Sequence, residues 1–169
     1  MSIKAYKIVA AATAVLILLL VNGLISRNEK LLIEGRSLYL QLAPVDPRSL
    51  MQGDYMTLNY ELANQLREQL SELNKTNDHE GQAVIAVDTR GVGQRIQIRE
   101  SAPAQRADQA QILLNYRRSG WQVHLATDAF FFEEGQGERY ARARYGHFRT
   151  DGKGRALLVE LCDEQLLAL

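Results

Sequence analysis

From Ile8 to Ile25 the chain reads IVAAATAVLILLLVNGLI, 18 residues without a charge. As an α-helix such a run rises about 27 Å, close to the hydrocarbon thickness of a bilayer. A buried helix of a water-soluble domain is rarely apolar on every face for so long. The run therefore divides the chain into a cytoplasmic N-terminus (1–7), a transmembrane helix (8–25), a juxtamembrane linker (26–36) and an outer domain (37–169). Lys4 and Lys7 precede the run, and the excess of basic residues on that side keeps the N-terminus in the cytoplasm. Arg27 and Lys30 follow it, with Glu29 and Glu34 among them, and weaken the bias. A cleaved signal peptide shares the basic start and apolar middle, and Val21 and Gly23 offer small residues before a cut. The run is longer than a usual signal core, so an uncleaved signal anchor is the expectation, with lipid contacting residues 8–25.

The remaining composition excludes more than it assigns. Twenty basic residues balance 20 acidic ones, so no global field draws the protein to nucleic acid, and no nucleic-acid partner is expected. Residues 36–169 carry 16 basic and 18 acidic groups, a net of 16 − 18 = −2. The single cysteine, Cys162, permits neither an intramolecular disulfide nor a cysteine-based zinc site. Its setting, LLVELCDE, suits the inner face of a strand, where burial would keep the thiol inert.

The outer domain reads as α+β, mostly antiparallel, with seven or eight strands and one or two helices. SRNEKLLIEGR extends the first helix by a turn or two and stops it at Gly35. In SLYLQLA, Leu38, Leu40 and Leu42 alternate with polar residues as in a half-buried strand. Asp46 suits an N-cap and Pro47 the first position of a helical turn over Arg48–Gln52, which Gly53 ends. The chain then leaves extended, with Met56, Leu58 and Tyr60 on one face and Tyr55, Thr57 and Asn59 on the other. Leu62, Leu66, Leu70 and Leu73 recur at helical spacing. Three hairpins follow, turning at Arg90–Gly93, Ser119–Gly120 and Asp151–Gly154. AFFFEE is a short apolar segment ending in solvated Glu133 and Glu134, and GQGERYARAR is read as a helix ending near Gly146.

No catalytic constellation emerges, and neither a cofactor nor a metal site is expected. His79, His124 and His147 lack ligand spacing and are read as exposed or singly hydrogen-bonded. Signal peptidases also join a membrane anchor to a β-rich outer body and carry a Gly-Asp pair before a strand. Aligned on Gly53-Asp54 and Leu50, the nucleophile position falls on Val45, which cannot attack a carbonyl. Lys75 and Lys153 lie in polar loops rather than in a strand that would lower a lysine pKa. An enzyme is therefore not the favoured reading. Asp46 and Asp54 read as a cap and a turn residue, and Arg139, Arg142 and Arg144 as a solvated or salt-bridged face. An exposed Tyr55 or Tyr60 beside Tyr39 would suit a protein interface.

Residues 53–60, Gly-Asp-Tyr-Met-Thr-Leu-Asn-Tyr, match in full the pattern for which the GDYXXLXY family is named. PVDPRSL before it and the late FFFEEGQGERYARARYGHFRTDGKGRALLVEL also resemble that family. The resemblance implies a bacterial envelope location and a multi-pass integral membrane partner, and with the charge bias above the expectation is an inner-membrane protein with its C-terminal domain in the periplasm; the resemblance implies no reaction. Two functions are then in view. The first is a non-enzymatic assembly or accessory subunit, with Gly53, Asp54, Tyr55, Leu58 and Tyr60 as its motif and interface. The alternative is a periplasmic ligand-binding or enzymatic module that uses Asp54, Asp46, Arg48, Arg142 and Arg144.

Overall fold

The computed structural model describes residues 3–43, 55–73, 77–99 and 111–169. The chain forms two compact units, Met1–Glu34 and Gly35–Leu169. The first is a single helix, α1 (Ile3–Glu34), which stops before Gly35 as its sequence requires. Its apolar side chains from Val15 to Val21, with Leu24 and Ile25, are all exposed. Among the described residues no helix is long and apolar enough to cross a membrane. The uncharged run expected to do so begins at Ile8, and the side chains at positions 8, 9 and 11 lie outside the described residues.

The second unit is α+β. Its elements are β1 (Arg36–Gln41), β2 (Tyr55–Thr57), α2 (Glu61–Glu72), β3 (His79–Val87) and β4 (Gly93–Ile98). They are followed by β5 (Gln111–Ser119), β6 (Gln122–Leu125), β7 (Ala129–Phe131), α3 (Gly137–Tyr140), β8 (Tyr145–Thr150) and β9 (Ala156–Cys162). These strands form three sheets, ordered β1-β8-β9, β2-β7 and β4-β3-β5-β6, and every pair of neighbours is antiparallel. The ninth strand is β7, drawn from AFFFEE, whose backbone pairs with β2.

All three hairpins form where turn residues mark them. In the first, the Asp88 carboxylate accepts from the N–H groups of Arg90 (2.8 Å) and Val92 (2.9 Å), and Gly91 takes the left-handed φ of 83° that the turn needs. The Val92 N–H, ahead of the Arg90 N–H and guanidinium, holds the Asp88 carboxyl below its ordinary value. In α2, Leu62, Leu66 and Leu70 are buried. Leu73 departs from expectation: it is the C-cap, one residue past the helix, and stays exposed. The three leucines cover the inner face of the four-stranded sheet, where Ala83, Ile85, Ile96, Ile112, Leu114 and Leu125 form a core continuous with Leu38 and Leu40 of β1. Arg118 lies on the same face of β5 and is fully buried. Its Nε donates to Gly120 O at 3.0 Å, while Nη1 has no hydrogen-bond partner among the described residues.

The helix expected over GQGERYARAR is a single turn, not a run to Gly146. Sheet pairing claims the backbone first: Arg144 N–H donates to Cys162 O and Leu42 N–H donates to Arg144 O, both at 2.8 Å. Gly146 accordingly lies inside β8. Cys162 ends β9 and is buried, as its flanks predict. Burial, followed by the Glu160 and Asp163 carboxylates, pushes its thiol up to about 11. The native protein should therefore resist iodoacetamide at pH 8 and react fully once unfolded. Mass-spectrometric alkylation with and without denaturant checks this, and rapid labelling of the native chain would contradict it.

Candidate functional site

The motif strand alternates as its sequence predicts. Met56, Leu58 and Tyr60 are buried, and Tyr55, Thr57 and Asn59 are exposed. Gly53 and Asp54 of the same motif lie outside the described residues, as do Asp46, Arg48, Val45 and Lys75. The inner and outer faces of the strand do different things.

Inward, the motif braces a turn 67 residues away. β2 pairs with β7 through Tyr55–Phe131, Met56–Phe130 and Thr57–Ala129. Beyond that ladder Leu58 N–H donates to Asp128 O at 2.7 Å, and the Tyr60 hydroxyl donates to Thr127 O at 2.8 Å across 67 residues. The Tyr60 ring meets Phe148 edge-on at 5.8 Å. Burial, with the Asp128 charge second, pushes the Tyr60 phenol far above its ordinary value, so it acts as a neutral donor. The braced turn needs such support: Ala126 holds φ 58°, a left-handed conformation uncommon for a residue with a Cβ.

This turn carries the most organised polar pair of the region. His124 Nδ1 lies 2.7 Å from Asp128 Oδ2. The carboxylate can only accept, so Nδ1 is the donor and the contact fixes the ring. Two hollows share this pair. The smaller, about 280 Å³, runs along β6 to the start of α2 and is lined by Thr57, Asn59, Asn64, Arg67 and Gln122. The larger, about 670 Å³, is an open groove over the outer face of β5. Among the described residues no three His, Cys, Asp or Glu side chains converge to hold a metal. The spacing of His124 and Asp128, four apart, was visible in the sequence, but the turn that closes it was not.

Outward, the strand presents aromatic surface. Tyr55 and Phe131 are cross-strand neighbours with ring centroids 5.6 Å apart, and they remain 39% and 75% exposed. Phe130 and Phe132, by contrast, are half-buried and pack on Tyr140. Tyr39 does not join the exposed pair; it stacks on His147 at 4.5 Å.

The arginines named beside the motif lie elsewhere in the bonding pattern. Arg142 is exposed, and Arg144 donates through Nη1 to Ala143 O at 3.0 Å. Neither hydrogen-bonds Tyr55, Leu58 or Tyr60 among the described residues. Two histidines also differ from expectation. His147 is buried, bonded to Glu160 at 2.9 Å and Ser37 at 3.2 Å, because β1 and β9 close on both sides of β8. His79 meets both Asn77 O and the Tyr116 hydroxyl.

The family model described as GDYXXLXY protein matches residues 17–161. No curated protein and no solved structure matches the chain.

Proposed function

The chain belongs to the GDYXXLXY family, and on that premise we propose that it is a membrane-anchored envelope protein serving as a non-enzymatic accessory or assembly subunit for a multi-pass membrane partner. The observation that carries this reading is the exposed Tyr55–Phe131 pair on the motif strand. Paired aromatics left in water are characteristic of the desolvated centre of an interface, because they bury much area with little side-chain entropy to lose.

The anchor is α1. Its uncharged run from Ile8 to Ile25 sits within one continuous helix, and its apolar side chains would otherwise stay in water. Asn22, within this surface, returns its amide to Leu18 O at 2.9 Å, so its polar group is bonded within the helix. Lys4 and Lys7 set the N-terminus in the cytoplasm and residues 37–169 in the periplasm.

Mild-detergent capture of the full chain from its native membrane should recover a multi-pass protein in fixed ratio. Tyr55→Ala with Phe131→Ser should reduce that recovery by tenfold or more, since an interface aromatic contributes about 2 kcal/mol. Thermal stability should change little, because both side chains are exposed. Undiminished recovery with the double variant, or a partnerless protein, would sink the reading. The alternative, a periplasmic ligand-binding or enzymatic module using Asp54 and nearby acidic and basic groups, draws support from the His124–Asp128 pair between two hollows.

A further inference from the structure

The larger groove has a topological cause. β6 stays beside β5 only as far as Leu125, opposite Tyr116. It then turns away through Ala126, and the β8–β9 turn takes its place along β5, with Asn115 N–H donating to Gly154 O at 2.8 Å. The sheet surface lies open where one neighbour is exchanged for the other. Such exchanges leave a crevice with side chains from several strands around it.

Register fills that crevice with charge. Glu80, Arg117 and His124 are consecutive cross-strand partners on β3, β5 and β6, and Asp128 closes the row by holding His124. Side chains directly opposite in a sheet share a face, so these groups line one surface. Arg155, next to Gly154 on the arriving segment, also lines the groove. The Arg117 side chain has no hydrogen-bond or ion-pair partner among the described residues. The Asn115 amide oxygen is taken by Gln82 Nε2 at 2.9 Å, which turns its NH₂ away as a spare donor.

We propose that this groove binds a phosphoryl oxyanion, with the Arg117 guanidinium as the main ligand, the Asn115 amide as a further donor, and Arg155 contributing from the arriving segment. A phosphoryl group fits better than a carboxylate because the donors come from two sides. A tetrahedral group offers acceptors in all directions, whereas a carboxylate offers them in one plane. Asp128 holds the His124 ring at the edge of the groove, and Glu80 opposes the ligand and limits its affinity. The phosphoryl group belongs either to a soluble monoester or to a lipid headgroup. The inference is independent of the assembly reading, since it uses neither Tyr55 nor Phe131.

The test uses the full chain in neutral, phosphate-free detergent micelles, titrated by calorimetry with inorganic phosphate and separately with short-chain phosphatidylglycerol. Saturable binding is expected, with a Kd of about 1 mM or tighter. Arg117→Gln should weaken it about tenfold, the usual consequence of losing a charged hydrogen-bonding partner. Glu80→Gln should strengthen it a few-fold, and Arg67→Gln, in the neighbouring hollow, should leave it unchanged. These are surface changes whose folding is verified by circular dichroism. A preference for inorganic phosphate assigns a soluble ligand, and a preference for phosphatidylglycerol assigns a headgroup. No saturable binding of either probe, an Arg117→Gln protein that binds as well as the parent, or a loss with Arg67→Gln would overturn the proposal.

Discussion

Replacing Tyr60 by alanine should destabilise the outer domain by about 3–5 kcal/mol, the range for deleting a large buried aromatic side chain. Tyr60 is 2% exposed, and its ring fills space against Phe148. Deleting the side chain removes core volume and also leaves Thr127 O without its donor. Tyr60→Phe separates the two effects: it keeps the ring and should cost about 1 kcal/mol, the net value of one hydrogen bond. Denaturant unfolding followed by circular dichroism measures both. The phenylalanine variant should also loosen the 126–128 turn, read as weakened cross-peaks between His124 and Asp128 in NMR spectra. Equal losses for the two variants would mean that the hydroxyl, not the ring, dominates.

Gly154→Ala should cost about 2–4 kcal/mol, by two mechanisms that can be separated. The first is backbone strain: Gly154 has φ 111°, which residues with a Cβ rarely adopt. The second is collision, because an added Cβ would strike the Asn115 carboxamide, with Gln82 Nε2 3.0 Å away. Asn115→Ala in the same chain removes the collision and leaves the strain, so a double-mutant cycle should recover roughly half of the loss. Full additivity in that cycle would show that the carboxamide moves aside freely and that strain alone carries the cost.

How much of this was readable in the chain depends on the range of each interaction. Alternation in Met56–Tyr60 and the leucine spacing of α2 report local periodicity, and both faces fold as that periodicity requires, Leu73 past the helix end excepted. The three hairpins follow from glycine and aspartate at their turns, which act within a few residues. The candidate site is less legible because its key contacts are distant or carry no local signature. Tyr60 reaches Thr127 across 67 residues. The turn that brings Asp128 to His124 depends on Ala126 at φ 58°, and alanine is not a turn-forming residue. The shortness of α3 has a related origin, because Arg144 gives its N–H to Cys162 and its carbonyl to Leu42, about a hundred positions earlier. Gly53, Asp54, Asp46 and Arg48 lie outside the described residues, so the motif's first two positions rest on its sequence alone.

The first strand of the outer domain pairs with nearly the last. Thr150 Oγ1 donates to Arg36 O across 114 residues, and β8 then joins β1 to β9. A chain made from its N-terminus therefore carries the β8-facing edge of β1 unpaired until almost all of the protein has been synthesised, although Tyr39 N–H finds Gly91 O on the other side earlier. Closing so long a loop before its contacts can form makes for slow folding. Throughout that interval the Leu38–Leu40 edge is an open template for any other extended chain. Timing, more than final stability, would then decide the yield of native protein, and a chaperone that shields a nascent strand edge would help this chain more than one that binds apolar helices.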